Sequence, residues 1–304
     1  GVAVAGGLAP AAIGSDTGGS IRAPAAVNGL AGLKTTHGLI SLHGTIALSP
    51  SLDTIGPMTR TAEDAGLLTA ALAGPDLRDD GTLQCPLFHF DRSLASVRGL
   101  RIAVMRPAQY PLPVSDDIAR ATNNAVSTLR TLGAIVTEID LPFDFAELMR
   151  QAGALMAIEA HYLHASYIGD AALPIGPWVR KRIIAGGAAS AGAHLSLLAH
   201  RREAIARFKS WMQSHDLLLT PTLPFVACPV SDIDEEVTPV GAFNRAVNYL
   251  DACAISLPAG FSENGLPIGV QLIAPAWHDA FLLQAGQAFQ QATDWHRRIP
   301  PDLE

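Results

Sequence analysis

The chain has 304 residues, a formal net charge of -7, and 49% hydrophobic against 16% charged residues. That balance is enough to bury a sizeable core and excludes a disordered chain, and without a basic excess no nucleic-acid footprint is expected. Cys85, Cys228 and Cys253 are widely spaced and form no CxxC pair, which excludes a disulfide framework and a thiolate zinc site. The apolar run near the start is broken by Gly and Pro, is too short to span a bilayer and has no basic segment ahead of it, so a soluble cytoplasmic protein with no membrane partner is expected. Residue 1 is Gly and the sequence after it reads like the middle of an element, which predicts a piece of a longer chain.

In chain order, residues 2–12 are rich in Ala, Gly and Val and predict a tightly packed helix-to-strand passage. A Gly- and Ser-rich loop follows at 14–24. Segments 27–34 and 35–47, punctuated by Gly29, Gly32, Gly38 and Gly44, are expected to wrap under that loop and hold it. Thr61 is a good N-cap with Asp64 three residues on; Leu67, Leu68, Ala71 and Leu72 are the expected apolar face of that helix and Gly74 its end. Residues 75–98 read as a long loop.

A β-α-β pattern comes next. Strand 100–105 leads to a helix opened by Ser115, which presents Ile118, Ala121, Ala125, Val126 and Leu129 and ends at Gly133 before strand 134–139. Segments 143–168 and 193–215 are helical by period, and the connection between them, with Pro174, Pro177, Gly186 and Gly187, reads as irregular. The Arg180-Lys181-Arg182 cluster in that connection is expected on a solvated helix face. Strand 217–219, helix 244–252, strands 255–257 and 268–273 around Asn264-Gly265, and helix 279–292 complete the chain. Such alternation predicts an α/β fold over 1–304 with one mixed sheet core and helices on both faces.

The loop Gly14-Ser15-Asp16-Thr17-Gly18-Gly19-Ser20-Ile21-Arg22-Ala23-Pro24 is the candidate site. It lacks the Lys before Ser or Thr that a Walker loop needs, and its glycines do not have GxGxxG spacing. It is no GxSxG elbow either, because Arg22 stands two residues after Ser20. His161 and His164 share a helix face without an HExxH frame, and His37, His43 and His278 read as turn or surface histidines. A serine behind consecutive glycines can place several backbone N–H groups where an attacked carbonyl oxygen becomes anionic. A Gly-rich turn with a capping serine fits the same residues.

Three ordered motifs decide between them: 14–24, then Gly32-Leu33-Lys34-Thr35-Thr36-His37-Gly38, then Ser51-Leu52-Asp53-Thr54-Ile55-Gly56-Pro57-Met58-Thr59-Arg60-Thr61. Together with 248–258 and 265–273 they closely resemble the amidase signature family, over nearly the whole chain. The resemblance implies amide hydrolysis or amide-nitrogen transfer through an acyl-enzyme, with no cofactor and no metal. It implies Ser20 as nucleophile, the N–H groups of Thr17, Gly18, Gly19 and Ser20 as the oxyanion hole, and Asp16 and Arg22 as braces of the loop. The family's other triad members, a cis-peptide Ser and a neutral Lys base, belong to segments upstream of the signature loop, before Gly1.

Only Lys34, Lys181 and Lys209 are present, and Lys34 matches a lysine that the family does not use as base. The 304 residues alone are therefore expected to be inactive or nearly so, and strands are expected to be missing from the sheet. Asp251 stands where the family often has Gly and Cys253 where it often has Pro, which predicts a differently shaped passage before Ile255. The implied partner is a small-molecule amide, bordered by 171–192 and 221–244, with a homodimer open. A glutaminase subunit of a tRNA amidotransferase would add a protein partner and bound tRNA, and a truncated product kept for partner binding is the reading without catalysis.

Overall fold

The Leu217-Leu218-Leu219 run has no polar face, so any strand it forms needs an apolar layer on each side. Those layers are present in the computed structural model, which describes residues 1–234 and 240–300. The elements in order are α1 (Val2–Ala5), β1 (Ala11–Ser15), α2 (Arg22–Val27), β2 (Ala31–Lys34), β3 (Ile55–Thr59), α3 (Ala62–Leu72), β4 (Arg101–Met105), α4 (Asp116–Thr131) and β5 (Ile135–Ile139). They continue with α5 (Phe145–Ile168), α6 (Pro177–Gly186), α7 (Ala191–Trp211), β6 (Leu217–Pro221), α8 (Arg245–Tyr249), β7 (Cys253–Phe261), β8 (Pro267–Ala274) and α9 (Asp279–Gln291).

Eight strands form one sheet in the order β1-β3-β2-β7-β8-β6-β4-β5. β4 pairs in parallel with β5 and β6, and the remaining pairs are antiparallel, so the sheet is mixed. Alternation along the strands splits the core in two. Leu217 and Leu219 join Ile102, Val104, Ile255 and Leu272 beneath α3, α4 and α9. Leu218 joins Ala103, Met105, Ala254 and Ile273 beneath α5, α7 and α8. No single helix among the described residues is long and apolar enough to cross a membrane.

Helix α4 buries the five residues its period selects, Ile118, Ala121, Ala125, Val126 and Leu129, and the parallel β4–β5 pair completes the β-α-β unit. Thr61 caps α3, its side chain accepting from Asp64 N. The face of α3 is not the expected one. Ala62, Ala65, Gly66 and Thr69 are buried while Leu67 is 52% exposed, because Ala62 abuts Gly286 of α9 and the Phe90 ring lies over Gly66. Small residues let those partners approach more closely than leucines would.

Two further expectations are corrected. Segments 27–47 do not merely wrap: Ala31–Lys34 is a fully buried strand, and Ile55–Thr59 is a second, paired on both sides despite Gly56 and Pro57. The connection between α5 and α7 is not irregular throughout, because it contains α6, with Pro177 in its first turn and Gly186 at its end, an arrangement that suits both residues. α6 lies so close on α5 that a Cβ at Gly186 would stand 1.9 Å from the Ala157 carbonyl oxygen. Asp251, by contrast, meets the expectation of an unusual passage, with a left-handed φ of 54°.

Gly186→Ala is therefore expected to lower stability by about 1–3 kcal/mol through forced separation of α6 from α5. Gly169→Ala, where a Cβ would meet nothing within 4 Å, is the matched control and should lie within about 0.5 kcal/mol of the parent. Urea unfolding of the two variants side by side measures both.

Candidate active site

The loop leaves the sheet where β1 ends at Ser15, and the next residue, Asp16, is bonded through its backbone and its side chain alike. Asp16 N donates to Thr54 O at 2.8 Å, and Thr54 Oγ1 and Asn248 Nδ2 donate to Asp16 O at 3.0 and 2.9 Å. The Asp16 carboxylate then gathers the loop around itself. It accepts from Gly19 N at 2.7 Å, from Arg22 Nε and Nη2 at 3.0 Å each, and from Asn248 Nδ2 at 3.0 Å. Longer contacts from Ile21 N and Arg22 N, at 3.3 and 3.4 Å, cap the start of α2, whose own N-cap residue Ile21 has no side-chain donor or acceptor.

Arg22 is the other half of this knot, and both side chains are fully buried. Its Nη1 donates to Gln271 Oε1 at 2.9 Å and its Nη2 to Asn248 Oδ1 at 2.7 Å and Asn244 O at 3.1 Å. Gln271 is held in turn by its Nε2 donating to Thr220 Oγ1 and Phe243 O, both at 3.0 Å. Burial alone would raise the Asp16 pKa, but the Arg22 charge and hydrogen bonds outweigh it, leaving a carboxyl lowered from 3.8 to about 2.

Thr17 Oγ1 donates to Asp53 Oδ1. The other Asp53 oxygen accepts from Leu48 N and Ser49 N at 2.8 and 2.9 Å, which ties the loop to the 48–53 turn. Gly19 takes a φ of +121°, and a Cβ there would meet Asn244 Cβ at 2.7 Å, so glycine is required for both conformation and space. Of the four N–H groups expected to line an oxyanion hole, that of Gly19 is directed at Asp16 Oδ1. Among the described residues, those of Thr17, Gly18 and Ser20 donate no hydrogen bond, and neither does the Ser20 hydroxyl.

Ser20 is exposed and lies on a cleft of about 460 Å³ together with Gly18, Gly19, Arg182, Ile233, Gly241 and Arg245. Both segments expected to border the pocket contribute, the first through Arg182 and the second through Ile233 and Gly241; residues 235–239 of the second lie outside the described residues. Arg182 thus turns a cluster expected to be merely a solvated face toward the site. Arg180 folds back instead, donating to the Ile168, Asp170 and Leu173 carbonyls. Lys34 is buried, its Nζ donating to Thr35 O and Ala252 O at 2.9 and 2.8 Å. Burial, and then the Arg22 charge, push its pKa down. His161 and His164 each meet a backbone carbonyl, Ile183 O and Ala47 O.

Sequence reasoning had no signal for the roles of Arg182 and Arg245. Asn244 and Asn248, four apart at α8, and Gln271, the polar residue inside an apolar strand, are the pattern from which the knot's remaining members could have been found.

The amidase family model matches residues 1–283. The chain belongs to the amidase signature family. It is 38% identical to the A-subunit of glutamyl-tRNA(Gln) amidotransferase from Ligilactobacillus salivarius, over 98% of this chain and 66% of that protein. The chain thus spans just under two thirds of that relative's length. Among solved structures it is similar to that of an s-triazine catabolic enzyme described with a vestigial protein complex, with a TM-score of 0.86 and 28% identity, covering 95% of this chain and 64% of that one. It is also similar to a bacterial aryl acylamidase of the amidase signature family, with a TM-score of 0.82 and 26% identity, covering 97% and 64%.

The lowered Asp16 pKa makes an acid-stability prediction. A carboxyl depressed by folding contributes its stability above its unfolded value and loses it as pH falls through the folded one, here from about 4 down to about 2. At roughly 1.4 kcal/mol per unit the contribution is on the order of 2 kcal/mol. Asp16→Asn should abolish that acid-labile part while costing about 3–5 kcal/mol at neutral pH, because Arg22 is left buried with its charge uncompensated. Urea midpoints from pH 2 to 7 for parent and variant measure both effects.

Proposed function

We propose that Ser20 is the nucleophile of a carboxamide C–N bond-cleaving enzyme of the amidotransferase A-subunit type. The observation that carries this reading is an exposed hydroxyl without a hydrogen-bond partner among the described residues, on the wall of a cleft, beside the unengaged N–H groups of Thr17, Gly18 and Ser20. Ser20 Oγ attacks the amide carbon, and the carbonyl oxygen takes up negative charge where those donors can meet it. Each such donor is worth about 3 kcal/mol when removed. Collapse of the tetrahedral intermediate expels ammonia or an amine and leaves an acyl-Ser20 ester, which water cleaves to the carboxylic acid.

Within this scheme Gly19 is not itself a donor to the oxyanion. Its N–H bond to Asp16 fixes the turn so that its neighbours' N–H groups point outward, and Asp16 and Arg22 act as braces. Proton transfer is assigned to the Lys and cis-Ser that the family resemblance places ahead of the signature loop, since Lys34 is committed to two backbone carbonyls.

The amidotransferase reading is supported by the 38% identical relative. It implies glutamine as nitrogen source, a partner subunit that accepts the ammonia, and tRNA bound by the assembly. A plain amidase is the second reading, supported by the likeness to the aryl acylamidase.

A fluorophosphonate probe applied to the native protein is expected to leave one label, on Ser20, that Ser20→Ala removes; a label that survives the substitution ends the assignment. Gly19→Ala is expected to lower kcat/KM by about 100-fold, because a displaced turn misplaces the attacking atom. Glutamine hydrolysis that rises on adding the partner subunit supports the amidotransferase, whereas full-rate anilide hydrolysis without any partner supports the amidase.

A further inference from the structure

Met156 and Glu159, three residues apart on α5 and so neighbours on its surface, reach the signature loop by two routes. A Cβ on Gly18 would stand 3.2 Å from Met156 Cε, so this side chain lies against the loop itself. Glu159, whose side chain is 11% exposed, engages the 48–53 turn instead. Its Oε2 accepts from Ser49 Oγ and Ser51 N at 2.5 and 3.1 Å, and its Oε1 accepts from Ser51 Oγ at 2.5 Å.

Ser49 is shared between two carboxylates. Its hydroxyl donates to Glu159 while its N–H donates to Asp53 Oδ2 at 2.9 Å, and the other Asp53 oxygen accepts from Thr17 Oγ1. Glu159, Ser49, Asp53 and Thr17 thus form one continuous hydrogen-bonded chain from α5 to a residue three before Ser20. An ionised carboxylate offers acceptors only, so every link has a fixed sense in which the serine and the threonine donate. A carboxamide in either place could donate as well and would leave that sense open. Hydrogen bonds with one ionised partner are about twice as strong as neutral ones. Ser49, Asp53 and Thr17 are all buried, so little water competes for them.

We infer that Glu159 is a positioning residue for the proposed oxyanion donors, acting through Ser49 and Asp53 on Thr17. The inference rests on the Ser20 reading for its consequence in turnover, whereas the mechanical link stands on the hydrogen bonds alone. Thr17 has its side chain fixed by Asp53, and among the described residues its N–H donates no hydrogen bond. A displaced 48–53 turn therefore reorients that N–H relative to the place where an oxyanion would form. Asp16 does not duplicate this hold. It engages the N–H groups of Gly19, Ile21 and Arg22, so the two anchors act on different residues of one loop.

Hydrogen exchange of the native protein, followed by mass spectrometry of peptides covering 16–22 and 47–53, reads the link directly. Glu159→Gln is expected to speed exchange in both peptides by about tenfold, as loss of a charge-assisted bond should allow. In a Thr17→Val background the same substitution should still act on 47–53 and no longer on 16–22, the non-additivity that a general loss of stability would not produce. Ser51→Ala, which removes one donor to Glu159 and leaves α5 intact, serves as the second variant if Glu159→Gln does not fold. Parental exchange at 16–22 in the folded variant overturns the inference, as does a rise there that persists with Thr17→Val. In turnover of an amide, Glu159→Gln should lower kcat by about tenfold with KM within about twofold of the parent, because oxyanion donors act on the transition state. Turnover that survives Ser20→Ala ends the nucleophile reading, while the exchange measurement decides the Glu159 chain independently.

Discussion

The structure turns on one buried ion pair. Asp16 and Arg22 are six residues apart, fully desolvated and joined by two hydrogen bonds of 3.0 Å. Removing two charges from water is costly, and their mutual attraction repays that only with good geometry and with every remaining donor and acceptor satisfied. That condition is met by residues from far along the chain. Asn244 O, Asn248 and Gln271 supply acceptors to Arg22, and Thr220 Oγ1 and Phe243 O anchor Gln271. A pair six residues apart thereby fixes the relation of β1, α2, α8, β6 and β8.

The same pair explains how a turn of consecutive glycines is held in one arrangement. A turn of consecutive glycines has a large conformational entropy to lose, and glycine's freedom opposes any single arrangement. Asp16 offsets this by taking the Gly19 N–H and approaching the Ile21 and Arg22 N–H groups. Thr17 is pinned separately to Asp53. The Gly19 N–H is committed to Asp16, while among the described residues those of Thr17, Gly18 and Ser20 donate no hydrogen bond. An apolar brace of the same volume would fix the position of the loop but not the direction of its amides.

How much of this could be read from the residues depended on the range of the interaction. The loop was legible because its glycines, hydroxyls, carboxylate and guanidinium are contiguous, and α4 because its five buried residues recur at helical period. β2 and β3 were not, since Gly32, Gly56 and Pro57 are strand breakers in isolation. They are accommodated here because the neighbouring chain comes too close for a side chain, with a Cβ at Gly56 only 2.0 Å from Leu33 O. The burial of Ala62, Ala65 and Gly66 in place of Leu67 and Leu68 on α3 has the same origin. Close approach is set by the partner element, and no local pattern encodes it.

The arginines show the limit more sharply, because the same residue type has opposite duties in this fold. Arg22, Arg180 and Arg245 are indistinguishable by composition. One neutralises a buried carboxylate, one returns to the carbonyls at 168–173, and one reaches no partner among the described residues. What separates them is the supply of acceptors around each guanidinium, a tertiary quantity. For Arg22 each of the three guanidinium nitrogens has an acceptor, Asp16 among them, and the charge is neutralised within the fold. For Arg245 no acceptor is met among the described residues, and burial pushes its pKa down, so the cost of desolvating that guanidinium is not offset in the way it is for Arg22.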